Sequence, residues 1–267
     1  MRKGLYLYCF RKKNSATLSV VKTIDEGEVS TLPYEDLEAV VSGVDLERFS
    51  SGEIQKKAEE DINWIKEKAQ VHEHVIEQAM GRGGKIVPVI PMKFGTIFKT
   101  KKSLEEMMSK HYAKFKASLE NLAGKQEWGV KVYLNEAVFE KHLEEESEEV
   151  AQKKKEIASL PKGMDFFAKK QVEEVVKQAK DKELKRTIQE IFGNLEKIAV
   201  EASQGKNLDK AITGKEEPMI LNLNLLIKEE KVAGFQKDVT KLKGRYQNLG
   251  LIIQESGPWP PYNFVEI

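Results

Sequence analysis

The chain has 267 residues, enough for one large domain or two ordinary ones. Its 44 Lys and Arg residues balance 43 Asp and Glu residues, which removes the simplest electrostatic argument for binding nucleic acid. The single cysteine, Cys9, excludes an internal disulfide framework and a multi-cysteine metal site. Because no stretch approaches the roughly 18 uninterrupted apolar residues of a membrane span, we expect a cytoplasmic protein with no membrane partner.

The first half of the sequence predicts a mixed domain of strands and helices. Aromatic and β-branched runs favour strands, and apolar residues spaced alternately by three and four favour helices. The predicted elements are, in order, strands at 3–10 and 37–44, a helix at about 53–80, a strand at 86–90, a helix at about 103–123 and a strand at 128–134. This order is that of a ferredoxin-like split-βαβ sandwich, which we predict for residues 1–135.

The second half predicts an α+β domain rich in long helices, covering residues 136–267. A charge-dense helical stretch is followed by a helix break at 161–163 and by an apolar stripe that runs from Leu184 to Ala202. That stripe predicts either core packing or a helical surface for a partner. The later predicted elements are an alternating strand at 219–227, a helix at 232–246 and a strand at 249–254.

A segment rich in proline and aromatic residues follows the last predicted strand. Its three prolines restrict the backbone to extended geometry, so little conformational entropy is lost when the segment docks. Trp259, Tyr262 and Phe264 are therefore candidates either for packing within the protein or for docking a partner. We expect them to pack on the second domain, because the strand at 249–254 leads directly into them.

A search for catalytic, cofactor and metal sites finds no such constellation in the sequence. His72 and His74 lie two apart on a helix and point away from each other, so they cannot bind one ion. His72 lies on the apolar stripe, which predicts a core histidine. The GRGGK stretch at 81–85 follows a helix and lacks the Walker spacing. An enzyme acting on a small ligand through His72, Glu73 and Lys93 is retained as the alternative.

Five segments together carry a family resemblance. They are GLYLY at 4–8, VHEHVIE at 71–77, VPVIPMKFGTIF at 87–98, EWGVKV at 127–132 and GPWPPYNFV at 257–265. In this order the segments resemble the gas vesicle protein F/L family along nearly the whole chain. The resemblance does not distinguish F from L.

The resemblance implies a two-domain α+β protein whose first domain is ferredoxin-like. It implies a role in building gas vesicles, the hollow protein-walled flotation organelles of certain prokaryotes, with no catalytic activity and no cofactor. The implied partners are the small hydrophobic shell protein of the A type and other gas vesicle accessory proteins. The chain would act as an assembly chaperone or nucleator, associated with gas vesicles in the cytoplasm. The alternative is a minor structural component of the gas-facing wall.

Overall fold

The chain forms two compact units. The computed structural model describes residues 3–13, 18, 22–25, 27–81, 85–146, 148–158 and 165–266. The first unit comprises residues 1–127 and 258–267, and the second comprises residues 128–257. The second unit is therefore an insertion between two segments of the first. The sequence predicted a domain boundary at 135/136, whereas the first unit ends at residue 127. The sequence also predicted the proline-rich segment in the second domain, whereas residues 258–267 belong to the first unit.

The first unit contains a five-stranded sheet and three helices. Its elements are β1 (Lys3–Lys12), β2 (Val29–Tyr34), β3 (Leu37–Asp45), α1 (Ser51–Glu60), α2 (Ile62–Ala79), β4 (Val89–Pro91), β5 (Ile97–Phe98) and α3 (Lys101–Leu122). The strand order is β2-β3-β1-β4, and β5 also pairs with β1. Because β3 and β4 both run antiparallel to β1 and flank it, the path β3–α1–α2–β4 is the predicted split-βαβ unit.

A β-bulge in β1 distributes its side chains between two hydrophobic clusters. The register with β3 shifts between Leu7 and Cys9, so Tyr8 and Cys9 both contribute to the cluster that contains α2. Leu7 and Phe10 contribute to the cluster that contains α3. The sheet is thus covered by a helix on each face, and the predicted sandwich has a further layer. A strand buried on both faces reads as a near-continuous apolar run, as β1 does.

The second unit also contains one sheet and several helices. Its elements are β6 (Lys125–Leu134), α4 (Glu136–Glu146), α5 (Glu148–Ala158), α6 (Asp165–Glu196), β7 (Glu201–Gln204), α7 (Lys210–Thr213), β8 (Met219–Lys228), α8 (Val232–Tyr246) and β9 (Leu251–Trp259). The strand order is β7-β8-β6-β9. The predicted helix break at 161–163 lies outside the described residues.

The strand predicted at 128–134 does not close the first sheet. It is β6, which lies between β8 and β9, and its side chains Trp128, Val130, Val132 and Leu134 belong to the core of the second unit. Alternation predicted a strand here, and the strand is confirmed. It carried no information about which sheet the strand would join.

The second sheet has the same relative strand order as the first. The Leu134 amide donates to the Pro218 carbonyl at 3.0 Å, and the Asn135 amide donates to the Gly250 carbonyl at 2.8 Å. The end of β6 therefore lies beside the start of both β8 and β9, which makes both of them antiparallel to it. The path β8–α8–β9 is a second split-βαβ unit, and the predicted α+β class is confirmed.

Candidate functional site

A buried hydrogen-bond network joins three of the segments that carry the family resemblance. The Tyr6 hydroxyl lies 3.0 Å from His72 Nδ1, and His72 Nε2 lies 3.0 Å from the Met92 carbonyl oxygen. A carbonyl oxygen can only accept, so Nε2 carries the imidazole proton and Nδ1 accepts from the tyrosine. The network therefore connects β1, α2 and the turn after β4.

His72 is held in its neutral form. Its side chain is buried, and this burial lowers its pKa to about 4, against the opposing effect of the hydrogen bond to Met92. The ring stacks on Tyr8 at a centroid distance of 5.8 Å. Both nitrogens are engaged and the ring is enclosed, which confirms the predicted core histidine. A histidine in this state has neither a lone pair nor a proton free for a ligand, so the enzyme alternative gains no support.

The turn that follows β4 is fixed by its own sequence motif. The Gly95 amide donates to the Tyr6 hydroxyl at 3.0 Å, and Gly95 adopts a φ of 83°, which disfavours a residue with a side chain. The Thr96 hydroxyl donates to the Lys93 carbonyl at 2.7 Å. The Leu7 amide donates to the Thr96 carbonyl at 2.9 Å, which ties the turn to β1. The motif residues from Met92 to Thr96 thus have structural roles.

A buried ion pair lies at the far end of the same strand. Arg11 Nε donates to Glu38 Oε1 at 2.8 Å, and Arg11 Nη1 donates to the Ala79 carbonyl at 3.0 Å, in the last turn of α2. Both charged side chains are buried. The sequence analysis, which ended the first predicted strand at residue 10, missed the role of Arg11. The signal that identifies it is the pairing of Arg11 with Glu38 across β1 and β3.

Cys9 lies beside this network and is buried. Burial raises the pKa of its thiol to about 12. A thiol that stays protonated at neutral pH is a poor nucleophile and a poor metal ligand. Cys9 is therefore an unreactive thiol of the core.

The proline-rich segment docks on the first unit. We call residues 258–267 the return segment, and we call its contacts with Glu73 and Glu127 the clasp. The Tyr262 hydroxyl donates to Glu73 Oε2 at 2.9 Å. The Asn263 amide donates to Glu127 Oε2 at 3.1 Å, and its side-chain Nδ2 donates to Glu127 Oε1 at 2.6 Å. Three hydrogen bonds to two carboxylates thus hold the segment.

Glu127 is a deeply buried carboxylate of the clasp. Its side chain is only 3% exposed. Burial raises its pKa to about 7, the two hydrogen bonds from Asn263 oppose that rise, and the charge of Glu73 adds to it. Burial and the nearby Glu73 also raise the pKa of Tyr262. The sequence analysis named neither Glu127 nor Asn263 as functional, although both lie in the family segments.

The three aromatic candidates are placed in the first unit, not on the second domain as expected. Trp259 is half-buried at the end of β9, Phe264 is half-buried, and Tyr262 is 38% exposed. The expectation failed because β9 leads out of the second sheet and back to the first unit. The structure brings Tyr262 to Glu73, whereas Trp259 and Phe264 contribute partly buried rings beside it in the chain.

The second unit has a groove between α6 and α8. Its volume is about 340 Å³, with a floor formed by Leu195, Ile198 and Leu242. Lys241 and Asp238 on its rim form an ion pair at 2.6 Å, and Arg245 pairs with Glu190 at 2.8 Å. The groove therefore has an apolar floor and a rim of paired charges.

The apolar stripe predicted from Leu184 to Ala202 does not form one continuous helix. The helix ends at Glu196, and Ala202 lies in β7. A spacing of four residues fits both the helix and the strand periods, which explains the error. Ile191 and Leu195 are fully buried in the core, so this part of the stripe has the ordinary packing role.

Two further expectations concern absences. No group of three or more His, Cys, Asp or Glu side chains in the described part of the chain could hold a metal ion. Among the described helices, none is both long and apolar enough to cross a membrane. Residues 82–84 of the GRGGK stretch lie outside the described residues.

Comparison with known proteins identifies one family. The family model described as "Gas vesicle synthesis protein GvpL/GvpF" matches residues 4–266. Gas vesicle protein F1 of Halobacterium salinarum is 23% identical, with 100% of this chain and 95% of the relative covered. Gas vesicle protein L of Haloferax mediterranei is 24% identical, with 90% of this chain and 71% of the relative covered.

Solved structures share the fold. The crystal structure of the gas vesicle protein GvpF from Anabaena sp. matches with a TM-score of 0.73 and 19% identity, and the match covers 99% of each chain. The crystal structure of GvpF from Microcystis aeruginosa matches with a TM-score of 0.68 and 19% identity, again over 99% of each chain. The resemblance therefore covers both units and the return segment.

Proposed function

Since this chain belongs to the gas vesicle synthesis protein GvpL/GvpF family, we propose that it is a non-catalytic accessory protein that binds the hydrophobic shell protein during gas vesicle assembly. The observation that carries the proposal is the family match over residues 4–266. Its partners are the A-type shell protein and other gas vesicle accessory proteins, and it is associated with gas vesicles in the cytoplasm.

The way in which the motif residues are used supports a non-catalytic role. Tyr6, His72 and Gly95 are engaged with one another in the interior. Glu73 and Glu127 are engaged by the return segment. The residues that most resemble acid-base chemistry therefore bind other parts of the same chain. This supports an architectural role for the motif.

The physical task of an assembly partner is to cover apolar surface. A shell subunit has to keep its gas-facing surface from water until it polymerises, and each Å² of exposed apolar surface costs roughly 25 cal/mol. The groove between α6 and α8 offers apolar contact at Leu195, Ile198 and Leu242. We propose that an apolar segment of the shell subunit inserts there, with its polar flank against Lys241 and Arg245. The half-exposed rings of Trp259, Tyr262 and Phe264 are the second candidate contact.

A minor structural component of the gas-facing wall is the competing function. Such a component needs one continuous apolar face. Among the described residues, the large apolar side chains that are exposed are scattered over separate segments, namely Ile62, Val138, Val200, Ile212 and Tyr262. This distribution favours an accessory protein that contacts subunits through a groove.

The test uses shell protein diluted from denaturant in the presence of the full-length chain. We expect light scattering by the shell protein to fall in proportion to the amount of chain added. Asn194→Trp, which places an indole in the groove, should weaken this suppression. Lys237→Trp adds the same side chain at an exposed position of α8 and should retain it.

Two outcomes contradict the proposal. Scattering that matches an inert-protein control across a wide range of ratios removes the shell-binding role. Equal suppression by Asn194→Trp and Lys237→Trp removes the groove as the contact and leaves the aromatic residues of the return segment. Recovery of the chain in washed vesicles at a fixed ratio to shell protein would favour the wall component.

A further inference from the structure

The strand β7 lies at one end of the second sheet, with its outer backbone groups unpaired. Among the described strands it pairs with β8 alone. The Gly205 amide donates to the Asn222 carbonyl of β8 at 2.9 Å, which continues the register of the two strands. Because an antiparallel ladder bonds alternate residues, Ser203 also faces β8. The N–H and C=O groups of Ala202 and Gln204 therefore point away from the sheet.

The other three sheet ends each carry a proline. The strand orders of the two sheets end in β2, β4, β7 and β9. β2 contains Pro33, β4 contains Pro91 and β9 contains Pro258. Proline has no N–H to donate, so at a sheet edge it hinders the addition of a further strand. β7, which spans Glu201–Gln204, contains no proline, so its edge keeps its donors.

The open edge of β7 continues the groove between α6 and α8. Ile198 lines that groove, and both Ile198 and Ala202 pack against the core of the second unit. Val200 lies between them in the chain and is 48% exposed. Its amide donates to the Leu226 carbonyl of β8 at 2.8 Å, which fixes its position at the start of the edge. The groove floor therefore leads to the edge through an exposed apolar side chain.

We propose that β7 accepts an added strand, which is an extended segment of the shell subunit with side chains that alternate between apolar and polar. This inference rests on the proposed function and states how the occupant of the groove continues onto the sheet. Ala202 lies opposite Leu225 on the core face, and Ser203 lies opposite Asn224 on the other face. Apolar side chains of the added strand would extend the core face, and its polar side chains would lie beside Ser203.

Backbone and side-chain contacts have different roles in this arrangement. Hydrogen bonds to Ala202 and Gln204 fix the direction and register of the added strand, whatever its sequence. Apolar burial against Val200 and the groove selects a segment of suitable side chains. The added strand has one of its edges occupied by β7, so it cannot pair through that edge with another shell subunit.

Hydrogen exchange of the full-length chain, alone and with shell protein diluted from denaturant, tests the edge pairing. Mass spectrometry of the peptide that covers residues 200–206 gives the readout. The amides of Ala202 and Gln204 should exchange freely in the chain alone and at least about tenfold more slowly with shell protein present. The peptide that covers residues 29–34, from the edge strand β2, is the control and should not change.

Two variants at one position separate backbone pairing from side-chain packing. Ala202→Pro removes the outward N–H and leaves the hydrogen bonds to β8 in place, whereas Ala202→Val keeps that N–H. Half-suppression of shell-protein scattering should require about tenfold more Ala202→Pro than unmodified chain, because a carbonyl of the added strand loses its donor. Ala202→Val should match the unmodified chain.

The outcomes distinguish this inference from the proposed function. If the unmodified chain does not suppress scattering, the shell-binding function and the inference both fail. Suppression without slower exchange at residues 200–206 overturns the edge pairing alone, and so does equal suppression by Ala202→Pro and Ala202→Val. Slower exchange that increases with chain concentration in the absence of shell protein would show pairing with a second copy, and it also overturns the inference.

Discussion

The two units share a strand order, but their cores contain different kinds of side chain. Six of the buried polar or charged side chains in the described part of the chain lie in the first unit, and Thr187 alone lies in the second. The first core contains Tyr6, His72 and the Arg11–Glu38 pair, whereas the second is a cluster of aliphatic and aromatic residues. An apolar core accepts many residues of suitable volume, but a polar network requires particular partners. The motifs at 4–8, 71–77 and 87–98 lie on the network.

The largest expected loss of stability comes from disruption of the buried ion pair in the first unit. Arg11→Met leaves the Glu38 carboxylate and the Ala79 carbonyl without their partner, and we expect the free energy of unfolding to fall by about 3–5 kcal/mol. Arg11→Met combined with Glu38→Leu should recover most of that loss. Chemical denaturation measures both. The exposed pair of Lys102 and Glu106 at 3.9 Å is the control, and Lys102→Met should change stability by less than about 1 kcal/mol.

The stability of the second unit should depend on the volume of its core side chains and not on particular polar partners. Leu223 is fully buried, and Leu223→Ala should cost about 2–5 kcal/mol through lost contacts and a cavity. Leu223→Met conserves volume and should cost less than about 1.5 kcal/mol. The matching conservative change in the first unit, Arg11→Lys, loses the forked geometry and should cost more than Leu223→Met. Equal losses of stability in Arg11→Lys and Leu223→Met would show that the two cores do not differ in this way.

The stability of the first unit should also contain two pH dependences of opposite sign. The pKa of His72 falls from 6.5 to about 4 on folding, so its contribution is present above pH 6.5 and is lost as the pH falls towards 4. The pKa of Glu127 rises from 4.5 to about 7, so its contribution is present below pH 4.5 and is lost as the pH rises through 7. Each of these two contributions changes the free energy of unfolding by about 3 kcal/mol.

Between pH 4.5 and 6.5 these two slopes should nearly cancel in the unmodified protein. Glu127→Gln should make stability rise with pH over that range, and His72→Gln should make it fall. Denaturation midpoints at several pH values measure the slopes. Slopes of the same sign in the two variants would show that one assignment is wrong.

The smallest expected effect concerns a single hydroxyl. Tyr6→Phe keeps the ring but leaves His72 Nδ1 and the Gly95 amide without the partner that joins them, and we expect a loss of about 1–3 kcal/mol. The turn at 92–96 should exchange its amide hydrogens faster, which hydrogen exchange can measure. Tyr34→Phe, on the β2 hairpin strand, is the matched control and should leave that turn unchanged.

Local periodicity predicted most elements, because it reports which face of a helix or strand is buried. It located β1, β3 and β8, and it placed His72 in the core. It could not assign β6 to its sheet, because alternation on Trp128 to Leu134 is the same whichever strands lie beside it. Arg11 and Glu38 are 27 positions apart, and their partnership exists only through the pairing of β1 with β3. The clasp depends on still more distant residues, and no local pattern indicates it.

The insertion of the second unit has a consequence for synthesis. Residues 258–267 leave the ribosome only after the whole of residues 128–257, which takes roughly ten seconds at typical elongation rates. During this interval the nascent first unit lacks the donors that satisfy Glu127. A chain that stops at residue 257 would keep that defect permanently. The first unit can therefore be completed only after the second unit has been translated in full.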